Sequence, residues 1–275
     1  MIFKHTCVKT SSNKELSDVY LLWQEAFGDS KELIDFMLDG ALSDAEIFLM
    51  YDDKILCSMF FLCDIQLKCG NPDNTIPALY LYAAATRKNM RGHGYFPKLL
   101  SFAEEYARNI GARYILCKPA ETGLFSYYKK LGFETCTFFT EKQINPADKG
   151  YNFKRCSVCD KLYEAYLAEC KVLDACKIKN RKMFLDSVSC AIFDGEAELY
   201  IGNDCFALLG KNCNILVVVD NSCNMHDAAA SLLFETRKSG TLTEHNTNGT
   251  GQPYAMAKAI GDQKHERFIC SLLFE

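Results

Sequence analysis

Long apolar runs are missing from this 275-residue chain. No stretch approaches the ~18 consecutive apolar residues that span a bilayer, so no membrane-spanning segment is expected. The opening segment, MIFKHTCVKTSSNKELS, lacks the apolar core of roughly 7–15 residues that an export signal needs. A cytoplasmic location is therefore expected. A positive balance is missing too: the formal net charge is −4, which argues against general nucleic-acid binding. Cysteine is the opposite case, with 15 residues. An odd count without an export signal argues against a disulfide framework. The thiols are expected to pack as small hydrophobes, as around Cys57, Cys63, Cys117 and Cys270. Cys156-Ser157-Val158-Cys159 forms a C-x-x-C, but Cys170 and Cys176 do not supply the second close pair of a zinc site and no His is near. No metal is expected. No cysteine sits beside a His and a carboxylate, so no covalent nucleophile is expected either. An apolar content of 49% with 24% charged residues describes a globular chain, long enough for two domains.

Acidic residues are absent between Asp73 and Glu104, where Arg87, Lys88, Arg91 and Lys98 are all basic. The stretch from Pro77 to Phe133, which holds most of this island, organises the chain. It opens on the apolar run Ala78 to Ala85. The turn Thr86-Arg87-Lys88-Asn89-Met90-Arg91-Gly92-His93-Gly94 follows. Leu99, Leu100, Ala103, Tyr106, Ala107 and Ile110 then fall on one face of a helix, and Gly111 stands at its C′ position. A short strand is predicted over Tyr114–Cys117. Thr122 is expected to cap a last helix through Leu131, closed by Gly132. A strand, a basic glycine turn and a helix start together make an anion site. Main-chain N–H groups there lack helical partners, the helix dipole favours negative charge, and glycine allows close approach.

Arg91-Gly92-His93-Gly94-Tyr95-Phe96 resembles the R-x-x-G-x-G/A pyrophosphate loop of the GCN5-related N-acetyltransferase (GNAT) family. Leu124 to Phe133, LFSYYKKLGF, resembles that family's downstream A-x-x-x-Y-x-K-x-G-F signature. Phe96 stands where Gly or Ala is usual, a departure similar to the Eis-like branch, whose members carry extra C-terminal domains. Pro97 lacks an N–H and removes one donor to phosphate. The resemblance covers about residues 1–158.

It implies an α/β (α+β) GNAT fold with a central mixed, mostly antiparallel sheet. It also implies acetyl-coenzyme A as cosubstrate, without a metal. The main chain and side chains of Ala84, Thr86, Arg91, Gly92, His93, Gly94, Tyr95, Phe96 and Tyr128 would hold that cosubstrate. Main-chain donors near Ala84, Ala85 and Thr86 would face the thioester carbonyl as an oxyanion hole. Tyr128 matches the family's general acid; a phenol with a pKa of about 10 can protonate a thiolate. The chain end, Glu275, is implied as a carboxylate reaching the active site, as in Eis-like enzymes. Tyr82, Glu121, Glu141 or a water-relayed carboxylate remain open as the general base.

Around that stretch, Phe3–Val8 reads as a strand. Ser11–Asn13 opens a helix with Leu16, Val19, Tyr20, Trp23 and Phe27 on one face, broken at Gly28. A second short helix carries Leu33, Ile34, Phe36 and Met37. Strands over 45–50 and 55–63 pair about Tyr51-Asp52-Asp53-Lys54, and a loop is expected at Gly70–Asp73. Strands over 135–143 and 151–157 would finish a first domain, residues 1–158. A smaller α+β domain, 159–275, would follow as a degenerate GNAT-like or sterol-carrier-like unit. It reads as two helices, three strands, a helix over His226–Lys238, a mobile loop over Ser239–Gln252, and a closing antiparallel pair, Tyr254–Ile260 with Arg267–Phe274. Its strand-to-helix junction, Asp220 to Asp227, has no glycine and two carboxylates, so one cofactor site per chain is expected. The function implied is N-acetyl transfer to a primary amine, small molecule or peptide, by direct attack. A non-catalytic acyl-coenzyme A sensor or scaffold is the alternative. No nucleic-acid or membrane partner is expected, and homo-oligomerisation is left open.

Overall fold

The computed structural model describes residues 1–69, 74–203, 205–219 and 224–269. They fall into two compact units. The first holds residues 1–66, 76–134 and 255–266; the second holds the described residues of 67–75, 135–254 and 267–269. The chain therefore leaves the first unit after residue 134 and returns to it at residue 255.

In the first unit, β1 (Ile2–Cys7) leads to α1 (Asn13–Phe27) and α2 (Lys31–Asp39). Ser12 and Glu15 form a reciprocal capping box at the start of α1, and Gly28, at φ +79°, ends it. Ser30 caps α2 by accepting from the Leu33 N–H at 3.1 Å. β2 (Glu46–Asp52) and β3 (Ile55–Cys69) form a hairpin across Asp53 and Lys54. Both turn residues have positive φ, 46° and 69°, the backbone of a type I′ turn. β4 (Thr75–Thr86), α3 (Tyr95–Asn109), β5 (Tyr114–Cys117) and α4 (Thr122–Lys130) follow. The expected Thr122 cap is corrected: Glu121 occupies the N-cap position, without a side-chain bond, and Thr122 is the first helical residue.

The strand order in this unit is β1-β2-β3-β4-β5-β13, where β13 is Gln252–Ala259. β1–β2, β2–β3 and β5–β13 are antiparallel, and β4–β5 is parallel. One sheet face supplies Phe48, Phe60, Leu79 and Leu81 to a core closed by Leu99, Leu100 and Ala103 of α3. Met256 and Ile260, from far along the chain, join the same core. Elsewhere in the unit the Trp23 ring of α1 meets Phe61 edge-on at 5.4 Å.

The second unit contains β6 (Glu134–Ile144), β7 (Lys154–Arg155), α5 (Asp160–Val172), β8 (Ala175–Ile178), α6 (Arg181–Phe193), β9 (Ala197–Ile201), β10 (Cys205–Gly210), β11 (Asn214–Val219), α7 (Met225–Thr236) and β12 (Gly240–Asn246). Its strand order is β6-β12-β11-β10-β9-β7. β9–β10, β10–β11 and β12–β6 are antiparallel, and β11–β12 is parallel. The sequence β9-β10-β11-α7-β12 thus repeats the order of β2-β3-β4-α3-β5, with the first pair antiparallel and the last parallel in both. This repeated order is what the GNAT-like alternative expects for this part. Lys68 is 3% exposed and belongs to this unit. Its Nζ donates to the carbonyls of Cys170, Lys171 and Leu173 at 3.2, 2.6 and 2.6 Å, closing the end of α5.

The mobile loop expected over Ser239–Gln252 is corrected. Half of that stretch is β12, paired with β6 from Gly240↔Ile144 to Asn246↔Phe138. Its apolar content is nearly confined to Leu242, so the main-chain ladder rather than side-chain patterning makes it a strand. Gly240 is needed there: a Cβ at that position would lie 2.2 Å from the Cys213 carbonyl oxygen. The expected closing pair is partly corrected. Gln252–Ala259 is a strand, but it pairs with β5, from Met256↔Cys117 to Ala259↔Tyr114. Ile269 makes a single bridge to Cys176, and residues 270–274 lie outside the described residues, as does the loop expected at Gly70–Asp73.

Candidate active site

The site is built from the end of β4 and the turn after it. β4 pairs with β5 only over Ala78↔Tyr114, Leu79↔Ile115 and Tyr80↔Leu116. β4 then continues six residues to Thr86 with no ladder to β5 among the described residues. Ala83 lies inside this extension at φ +49°. A non-glycine residue there marks a local kink, and alanine is small enough to sit in it. Ala84 and Thr86 are half-buried and Ala85 is buried. Ser58, on β3 and fully buried, fixes this end. Its Oγ donates to the Ala85 carbonyl at 2.9 Å and lies 3.0 Å from Thr86 Oγ1.

A 3-10 turn over Lys88–Met90 follows. Arg91 folds back, its Nε donating to the Thr86 carbonyl at 3.2 Å. Gly92 and Gly94 both have positive φ, +83° and +73°, and a Cβ on either would meet nothing within 4 Å. The turn therefore faces open space. Gly94 is the N-cap residue of α3 and offers no capping side chain, and the first turn of α3 contains no acid. The first N–H groups of α3 are thus left to whatever occupies that space. Tyr95, half-buried, donates its hydroxyl to Asp52 Oδ2 at 2.8 Å, which anchors the helix start to the β2–β3 turn. His93 is exposed, 6.1 Å from the Tyr95 ring.

The Phe96 side chain points the other way. It is buried in the core, edge-on to Phe60 at 5.8 Å and to Tyr128 at 5.9 Å with the rings perpendicular. Phe96 thereby brings the glycine turn and Tyr128 together. Tyr128, on α4, is 7% exposed and also meets Phe133 at 5.3 Å and Tyr127 at 5.7 Å. Burial raises the phenol's pKa well above its ordinary value, with lesser contributions from Cys117 and Tyr127. It stays protonated across the physiological range, and the same shift makes it a weaker acid than a free phenol.

Residues 8–136 match the family model described as the acetyltransferase (GNAT) domain. The chain carries a GNAT acetyltransferase domain. In fold, the whole chain is similar to a conserved protein of unknown function from Enterococcus faecalis V583, described as a probable N-acyltransferase. The TM-score is 0.73 at 13% identity, over 94% of this chain and 73% of that one. It is similar to Eis1 from Mycobacterium abscessus, with a TM-score of 0.68 at 10% identity over 94% and 74% of the two chains. It is also similar to a tandem GNAT protein from the clavulanic acid biosynthesis pathway, at 0.53 and 11% identity over 96% and 99%. No curated protein sequence matches the chain. Family and fold together support acyl transfer in general.

Within the GNAT domain, Ala84, Ala85, Thr86, Arg91, Gly92, His93, Gly94, Tyr95 and Phe96 form one continuous segment, and Tyr128 adjoins it through Phe96. Glu275 lies outside the described residues. Of the open general-base alternatives, Tyr82 is half-buried with its ring 6.1 Å from Trp23. Glu121 is exposed at the start of α4. Glu141 belongs to the second unit and accepts from Asn214 Nδ2 at 2.9 Å. Sequence reasoning missed Ser58 and Asp52. A lone hydroxyl in the apolar run Leu56–Cys63 is the one signal that could have flagged Ser58. Among the described residues no group of three His, Cys, Asp or Glu side chains is arranged to hold a metal. Cys57, Cys63 and Cys117 are buried, in keeping with thiols used as small hydrophobes. Burial pushes the Cys156 thiol up to about 11, with Cys159 adding to it. Among the described residues no helix is long and apolar enough to cross a membrane.

Proposed function

We propose that this protein transfers an acetyl group from acetyl-coenzyme A to a primary amine, on a small molecule or a peptide, by direct attack. The observation that carries this reading is the pairing of two features. The β4–β5 ladder stops at Tyr80, and the glycines that follow open onto empty space before a helix start with no side-chain cap. The main chain of Arg91 to Phe96 would hold the diphosphate, with the side chains of Lys88, Arg91 and Lys98 exposed nearby in sequence. The bound coenzyme supplies the thioester that is broken. Main-chain N–H groups of Ala84, Ala85 and Thr86 on the side facing away from β3 would polarise the carbonyl. Tyr128 holds a proton for the departing sulfur. The division into a catalytic part, 1–158, and a part without a cofactor loop, 159–275, belongs to this proposal. So do the chain-end carboxylate of Glu275 and a cytoplasmic setting.

The experiment is a titration of the full chain with coenzyme A by calorimetry, then incubation with acetyl-coenzyme A and a panel of amines, reading released coenzyme A by chromatography. Release that depends on amine and is lost in Tyr128→Phe is expected. Absence of heat with coenzyme A would overturn the reading at its root. Binding without turnover on any amine would instead favour the sensor alternative.

A further inference from the structure

Glu25 lies in the last turn of α1, which has no basic residue. A carboxylate at that end of a helix opposes the helix dipole, so its placement calls for an explanation outside α1. Both of its oxygens are engaged by the turn that follows β4. Arg87 Nη1 donates to Oε2 at 2.7 Å, and the Lys88 main-chain N–H donates to Oε1 at 2.8 Å. Arg87 is held at two further points, both on β3. Its Nε donates to the Leu56 carbonyl at 2.7 Å and its main-chain N–H to the Cys57 carbonyl at 2.9 Å. The bond from the Lys88 N–H is the largest influence keeping the Glu25 carboxyl below its ordinary range, with Arg87 adding to it.

Two consequences follow. Arg87 is spent on this latch, so the basic side chains left exposed along the turn are Lys88, Arg91 and Lys98. The main chain is also fixed at residues 87 and 88, just before it enters Met90 to Gly94, where the open glycines lie. A loop ordered in advance avoids the entropy of ordering on binding.

We propose that Glu25 is a positioning residue that pre-orders the glycine turn for coenzyme A. This rests on the coenzyme reading above. Glu25 touches neither substrate nor reacting atoms; it acts through Arg87 and Lys88.

The test compares the full-length wild type with Glu25→Gln and Glu25→Ala. Coenzyme A is the titrant in calorimetry, followed by steady-state kinetics with acetyl-coenzyme A. Gln keeps an acceptor for the Lys88 N–H but loses the charge; Ala loses both. The dissociation constant is expected to rise about tenfold in the Ala variant, the equivalent of ~1.4 kcal/mol, and by roughly threefold in the Gln variant. The KM for acetyl-coenzyme A should rise in step, while kcat at saturation and the acceptor KM stay within about twofold. Urea midpoints read by Trp23 emission should stay within roughly 0.5 M of wild type. An unchanged dissociation constant in the Ala variant would overturn the inference while leaving the coenzyme reading intact. So would a loss of affinity matched by a lowered urea midpoint or an equal fall in kcat. If the wild type itself gives no heat, the coenzyme reading fails and takes this inference with it.

Discussion

Replacing Lys258 by Met should weaken the first unit more than any surface substitution, because this one amine ties three elements together. Lys258 lies on β13. Its Nζ donates to Glu104 of α3 in an ion pair whose side chains are 18% and 17% exposed. It also donates to the Leu131 carbonyl at 2.7 Å and stands 5.9 Å from the Phe133 ring centroid. Met preserves much of the stem's packing and removes only the charge. Breaking a fully buried pair costs about 3–5 kcal/mol; the residual exposure of both partners argues for the lower part of that range. Losing the charged bond to a helix-terminal carbonyl adds about 1 kcal/mol or more. A net loss of about 4 kcal/mol is expected. With a urea slope of ~2 kcal/mol/M, the midpoint should fall by roughly 2 M. The readout is local: the chain has one tryptophan, Trp23, 2% exposed in the first unit. Glu104→Gln in the Lys258→Met background should cost less than in the wild type, giving a coupling of about 1–2 kcal/mol. A midpoint shift below roughly 0.3 M, or strict additivity of the two substitutions, would refute the reasoning.

Three further outcomes are expected. Tyr128→Phe should lower amine-dependent release of coenzyme A by about 10²-fold or more while the calorimetric affinity for coenzyme A is kept; a fall in affinity as large as the fall in rate would assign the ring to packing alone. Glu15 is held at about 2, chiefly by its bond from Lys4 and then by the Ser12 N–H. Its folded-state pKa is depressed, so its contribution to stability is present above the ordinary carboxylate value of about 4.3 and is lost as pH falls toward 2. Unfolding free energies of wild type and Glu15→Gln, read from urea titrations, should accordingly differ at pH 7 by up to about 1 kcal/mol from the lost charge opposite Lys4, since Gln can still close the capping box, and converge near pH 2. Gly240→Ala drives a Cβ to 2.2 Å from the Cys213 carbonyl oxygen, so a loss of several kcal/mol is expected, visible as a lowered melting temperature by circular dichroism.

The first unit was legible because its signals agree at every level. The helical spacing of Leu99 to Ala107, Gly28 and Gly111 at helix ends, and the Asp53–Lys54 turn all match local physics, and each is found where the sequence puts it. The second unit was harder for reasons visible in its residues. β8 went unread because Ala175–Ile178 is four residues long and carries a lysine. β12 went unread because Thr241, Thr243, Glu244, His245 and Asn246 look like loop; its partners, β6 and β11, are remote in sequence. The neighbour of β13 could not be guessed for the same reason. At the site, the order of the glycine turn and the tyrosine was readable from the motif. The supports were not: Ser58, Asp52 and Glu25 act from β3, the β2–β3 turn and α1, and nothing in local spacing links them to residues 84–95.

The late return of the chain to its first unit has a consequence for biosynthesis. A ribosome feeds residues outward in order, yet the sheet edge beside Tyr114–Cys117 stays bare until Ala255–Ala259 has emerged from the exit tunnel. Roughly half the polypeptide must be made while that edge waits, an exposed template for aberrant pairing. Nascent chains arrested before residue 255 should therefore engage holding chaperones, and chains arrested within an added C-terminal linker long enough to carry residue 266 clear of the tunnel should release them.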